Sequence, residues 1–437
     1  MAIIAQKEIF RWEEIDELGD LQRFLLVIEN LPDEELMIAL EKKRDKGRND
    51  FPIRAVWNSI LAGVVFEHSS IESLRRELKR NAQLRQICGF DIFKGLKAVP
   101  PEYVYSRFLK LLIKHFDLLQ EMFNTLVKEL TELLPDLGET LASDGKAIPS
   151  FAKKKGTHEG DLRGEHDADW GKHEYNCVDD QGNTYKKIKK WFGFTLHLVV
   201  DAKYELPVAF TVSKASKNEM PYAHVLLNRL ETDQEEIINR CKYWLSDRGQ
   251  DDGKMIRKLW DKHEIKPIID IRNTWKDTDK TRLVPGTENV VYDWKGKVCC
   301  VSFADNTVRE MAFGGFEKNR GTLKYICPAI HYGLNCKGCK KCPVKTVIRI
   351  PMEIDRRIFT PVARSSYKWK RIYKKRTSVE RVNSRIDNLL GFENHKIRGL
   401  KKMSIRLLIS FCILLAMAKG RIKNNEQEKL RQFNRAA

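Results

Sequence analysis

Missing from this 437-residue chain are the usual marks of secretion and of membrane insertion. The opening stretch MAIIAQKEIFRWEEIDEL turns acidic almost at once, so no signal peptide is expected. The longest apolar run, LLISFCILLAMA from Leu407 to Ala418, is short for a bilayer and flanked by charge. It is expected to be a buried core helix. No internal repeat is visible, which excludes a solenoid. Acidic residues are scarce in the last part of the chain: residues 361–437 carry twenty Lys and Arg against five Asp and Glu. The first fifty residues carry eight basic and thirteen acidic side chains, so the formal charge of +19 is concentrated toward the C-terminus. That concentration suggests a partner with a phosphate backbone, although a solubilising face would have the same composition. With no sign of secretion, the ten cysteines point to thiols or metal ligands rather than a disulfide framework. The expectation is a soluble, cytoplasmic protein without a membrane partner.

Residues 1–135 read as an all-helical domain. In SSIESLRREL, Ser69 and Glu72 form a capping box ahead of Ile71, Leu74 and Leu78 on one face. With IRAVWNSILAGVVF before it, this segment fits a helix-turn-helix presenting Arg75, Arg76, Lys79 and Arg80, and equally fits ordinary helical packing. From Glu139 the period changes. TLASDGKAI and WFGFTLHLVVDAKYELPVAFTV are strand-like, MPYAHVLLNRLETDQEEIINRC is helical, and strand and helix then alternate through YWLSD, DGKMIRKLWDKHEI and KPIIDI. This order predicts an α/β layer with a mixed sheet over 136–275. Residues 276–366 lose the rhythm and read as a Cys-rich insertion. The core resumes over 367–420 with a basic helix, and 421–437 is a basic tail.

Three carboxylates stand out. Asp144 and Asp247 each sit at the end of an apolar strand, before a glycine or Arg-Gly, where sites in open α/β sheets lie. Glu380 is set in the basic helix YKKRTSVERVNSRIDNLLGF. Taken singly, each has a plain structural explanation: a turn or cap for the aspartates, a helix pair with Arg376 for the glutamate. Brought together they would repel one another unless cations were bound, and Mg²⁺ takes oxygen ligands while leaving positions open. Two such ions can activate water and stabilise the leaving oxygen of a phosphodiester.

In their order and settings these segments resemble the DDE transposases of bacterial insertion sequences, in the group marked by a Tyr-Arg-Glu-Lys signature. LASDGKAI is similar to the first-aspartate strand, LSDRGQDDGKMIRKLWDKHEIKPIIDIRN to the second-aspartate strand and helix, and YKKRTSVERVNSRIDNLLGFENHKIRGLKKM to the glutamate helix. The resemblance implies a ribonuclease H-like core with Asp144, Asp247 and Glu380 as catalytic ligands of Mg²⁺ or Mn²⁺. It implies cleavage at element ends by water, followed by attack of the freed 3′ hydroxyl on target DNA. It implies a homodimer on paired DNA ends, associated with the nucleoid. Tyr373 and Arg376 match the first two signature positions, and Lys374, Lys375, Arg381 and Arg385 are the neighbouring candidates for DNA contact. The fourth position departs: the family's lysine, seven residues after the glutamate, is Asp387 here. Competing readings are a nuclease of the same core that cuts without joining and a DNA-binding descendant without chemistry.

Cys327, Cys336, Cys339 and Cys342 lie as C-x8-C-x2-C-x2-C. Four soft ligands suit structural Zn²⁺, and the tight run ending in Cys342-Pro343 also suits a small iron–sulfur cluster. Unligated thiols are the third alternative.

Overall fold

The computed structural model describes residues 19–43, 50–154, 164–179, 181–276 and 278–431. Residues 1–18, on which the expectation about a signal peptide rests, and residues 432–437 of the basic tail lie outside them.

Seven α-helices come first among the described residues: α1 (Leu21–Asn30), α2 (Glu34–Lys42), α3 (Ile53–Val65), α4 (Ile71–Arg80), α5 (Ala82–Cys88), α6 (Glu102–Lys114) and α7 (Phe116–Leu133). Helix α3 buries twelve of its thirteen residues, as a helix without a polar face must. Helix α4 is amphipathic and turns Leu74 and Leu78 inward. Its cap falls one residue later than the sequence suggests. Ser70, in the extended conformation an N-cap requires, accepts from the Ser73 N–H at 3.1 Å, while Glu72 pairs with Arg75 at 2.6 Å. Arg75 also donates to the Pro100 carbonyl and Arg80 lies on Glu77, which leaves Arg76 and Lys79 as the open cations of this helix.

The sheet is built from β1 (Thr140–Pro149), β2 (Asp169–Val178), β3 (Thr184–Asp201) and β4 (Pro207–Lys214). Two helices follow, α8 (Glu219–Asp233) and α9 (Glu235–Arg240). Then come β5 (Tyr243–Ser246), the short α10 (Gly253–Arg257) and β6 (Lys266–Ile269). Its order is β2-β3-β1-β5-β6, with β4 also on β3; β1 is antiparallel to β3 and parallel to β5, which is parallel to β6. The expected mixed α/β arrangement is therefore present. One expectation fails: β1 does not break at Gly145 but stays paired with β3 as far as Pro149.

Residues 282–351 carry two further sheets. Strands β7 (Arg282–Leu283), β8 (Val290–Tyr292), β9 (Val298–Val301) and β10 (Val308–Glu310) form one. Strands β11 (Ala312–Glu317), β12 (Thr322–Ile326) and β13 (Val347–Pro351) form the other, with the short α11 (Pro328–Tyr332) between its last two. They share a hydrophobic cluster of their own, including Val290, Leu323, Tyr325, Ile350 and Phe359. The chain then returns to the main core through α12 (Tyr367–Tyr373), α13 (Thr377–Leu389) and α14 (Leu400–Lys423). The basic helix of the sequence is thus two helices joined by a tight turn over Lys374–Arg376.

Helix α14 is long and apolar enough to cross a membrane by length and composition, yet 89% of that apolar window is buried inside the protein. It packs against α1, α7 and β4, so the N-terminal helices and the six-stranded sheet share one hydrophobic cluster.

Candidate active site

Strands β1 and β5 run parallel with Ser143 opposite Ser246, so the next residues, Asp144 and Asp247, stand side by side at one edge of the sheet. Strand β5 ends there, and the Asp247 carboxylate caps the following turn by accepting from the Gly249 N–H at 2.7 Å. Helix α13 packs on β1 and β3 and brings Glu380 from its first turn, where the helix dipole favours a carboxylate. The Arg376 guanidinium lies 2.7 Å from Glu380 and 3.9 Å from Asp144 Oδ2, so the helix ion pair exists and is shared with the strand. Glu380 remains half exposed.

A fourth carboxylate, which the sequence did not single out, lies close to the two aspartates. Glu219 opens α8, and its side chain lies across both glycines that follow the aspartates. A Cβ on Gly145 would sit 2.4 Å from Glu219 Oε1, and one on Gly249 would sit 2.8 Å from Oε2. Pairing with β3 carries β1 through Gly145, where the glycine clears space for a carboxylate instead of making a turn. A glycine after each aspartate was the available signal, and it reads as a turn until Glu219 is placed. The negative charges act on one another. Asp144 is pushed up to about 7 by burial and then by Asp247, with Arg376 opposing. Burial, Asp247 and Asp144 push Glu219 up to about 7 as well.

These donors are all carboxylate oxygens, the chemistry Mg²⁺ and Mn²⁺ prefer. Among the described residues, no group of three or more His, Cys, Asp or Glu side chains is drawn together closely enough to hold a metal ion.

Nor does such a group appear among the described residues at Cys327, Cys336, Cys339 and Cys342, where Zn²⁺ or an iron–sulfur cluster was expected. The four thiols, with Cys300, line one small cavity of about 20 Å³. Cys327 is buried and Cys339 exposed, and Cys342 Sγ accepts from the Asn289 amide at 3.5 Å.

The basic residues divide. Tyr373 stacks on Trp369 with ring centroids 4.5 Å apart, and Lys374 and Lys375 are exposed beside it. Arg381 and Arg385 both pair with the buried Glu205 of the β3–β4 turn, Arg381 Nε at 2.6 Å from its carboxylate. Asp387 pairs with Lys146, whose Nζ lies 2.5 Å from Asp387 Oδ2.

Fold and site together define an α/β protein with an acidic centre on adjacent strands beneath a basic helix. Residues 150–416, more than half of the chain, match the family model described as the transposase DDE domain, and the chain belongs to that family. The match takes in Asp247 and Glu380 and begins six residues after Asp144. No curated protein and no solved structure matches the chain.

Proposed function

We propose that this chain is an active DNA transposase with a ribonuclease H-like core, cutting at the ends of its element and joining them to target DNA. The side-by-side placement of Asp144 and Asp247 on β1 and β5, with Glu380 on the helix packed against β1, carries the reading. Family membership supports the transposase role and the use of a divalent metal. Asp144, Asp247 and Glu380 would hold Mg²⁺ or Mn²⁺, which when bound supplies charge stabilisation for phosphodiester chemistry. Arg376 lies on both Asp144 and Glu380. On release from Glu380 it would turn to a DNA phosphate, with Lys374 and Lys375 gripping the backbone beside it and Tyr373 supporting them. Action on two paired ends would require a homodimer, working on the nucleoid in the cytoplasm.

The pairing of Glu380 with Arg376 also favours a second reading, a DNA-binding descendant whose chemistry is lost. Excision and joining from a plasmid with native flanking DNA separates the two. Wild type should yield joined products in Mg²⁺, and Asp144→Asn, Asp247→Asn and Glu380→Gln should each lower the yield by about 10²–10³-fold, the scale of losing one electrostatic stabiliser of a transition state. Cutting without joined products would mean a nuclease. Metal-independent DNA binding with no cutting would mean the descendant.

A further inference from the structure

Lys146 follows Asp144 by two residues on β1, so the two side chains stand on the same face of the sheet. Its ammonium reaches across to α13 and meets Asp387 at 2.5 Å, although 241 residues separate them in sequence. Both side chains are largely covered, at 17% and 28% exposure, so this is a fixed contact rather than a solvent pair. Together they form part of the wall of an open cleft of about 420 Å³ whose lining includes Gly145, Glu380, Asn383 and Glu393. Among the charged residues lining the cleft, Lys146 is the one cation beside Glu380, Asp387 and Glu393. Asn383, only 9% exposed, lines it with a buried Oδ1 that has no hydrogen-bond partner.

Because Glu380 lines this cleft, a strand of DNA brought to it would set a phosphate beside or within the cleft. Its walls are otherwise acidic and would repel that phosphate. A lysine ammonium has three donors, and Asp387 engages it from one side only. From these contacts we propose that Lys146 binds a backbone phosphate of the DNA beside the reacting bond and that Asp387 is the positioning residue that aims it. On this view Asp387 is no defect in a basic helix: the helix supplies the anchor and the strand supplies the cation. The proposal rests on the transposase reading above.

The test is binding of full-length protein to a labelled duplex carrying the element end, followed by anisotropy across a salt series in Ca²⁺ to suppress cutting. Lys146→Met should weaken binding by about tenfold and lower the slope of log affinity against log salt by about one, as expected for one lost phosphate contact. Lys146→Met with Asp387→Lys hangs the ammonium from the helix instead and should restore both. If Lys146 and Asp387 merely brace β1 against α13, the apolar pair Lys146→Met with Asp387→Met will bind with wild-type affinity and slope, which overturns the proposal. Wild-type thermal stability in each variant shows that the fold survived. Wild type that binds no duplex would sink the transposase reading itself, whereas wild type that binds and Lys146→Met that binds equally well sinks only this inference.

Discussion

The Glu219 carboxylate occupies space that a side chain at Gly145 would need, and at Gly249 it shares that space with Asp247 Oδ1. Gly145→Ala should therefore cost about 1 kcal/mol, the low end of overpacking because the Glu219 carboxylate can shift, read as a fall in the urea midpoint. Combining it with Glu219→Ala should return most of that loss, because the clashing group is gone; an additive double mutant would show that Glu219 is not what the glycine accommodates. Charge at the same residue gives a pH prediction. Burial and two aspartates raise Glu219 from its ordinary 4.5 to about 7, so between those values the native state binds a proton that the unfolded state releases. Stability from this group is then present at low pH and is lost as pH rises through about 7. Glu219→Gln mimics the protonated form. In metal-free protein it should raise the melting temperature above pH 7 by roughly 2–4 °C for each kcal/mol relieved, and the gain should vanish near pH 4.5. A gain independent of pH would contradict the assignment.

Helix α13 illustrates how an element can be legible while its attachment is not. Its amphipathic pattern and its glutamate could be read directly, as could the strand ending at Asp247 and the mixed order of strands around it. The tight turn over Lys374–Arg376 was not visible, because three basic residues suit a helix as well as a bend. Nor could the sequence show that Arg381 and Arg385 are held by Glu205, since the partner lies on a turn 176 residues away from the first of them. That turn reads simply as DAKYELP. Glu205 is 3% exposed and pairs with both guanidinium groups, so Glu205→Gln removes the buried charge that faces them. The cost should be roughly 1–2 kcal/mol by chemical denaturation, because Arg381 is half exposed and solvent screens its share. Because this contact sets how α13 lies against the β3–β4 turn, transposition should fall more steeply than stability alone accounts for. A variant with normal stability would show that the arginines carry their charge independently of Glu205.

Across the whole molecule, α14 decides what folds with what. The sequence announced a helical N-terminal part, an α/β part and an irregular part, but local pattern cannot reveal which of these share a core. The apolar run around Leu407 is the link: Phe411 lies 4.8 Å from Phe210 of β4 and 6.4 Å from Phe123 of α7, ring centroid to ring centroid, and is completely buried. Helix and sheet thus meet on one aromatic cluster, while Val290, Leu323, Tyr325 and Ile350 pack around a separate one. Phe411→Ala should open a cavity worth about 3–5 kcal/mol. Hydrogen exchange would show where that loss is felt. Protection should fall together in α7 and in β3–β4, which rely on the same cluster, and should change far less in β12 and β13. If α7 keeps its protection while the sheet loses its own, the N-terminal helices are a separate folding unit and α14 belongs to the sheet alone.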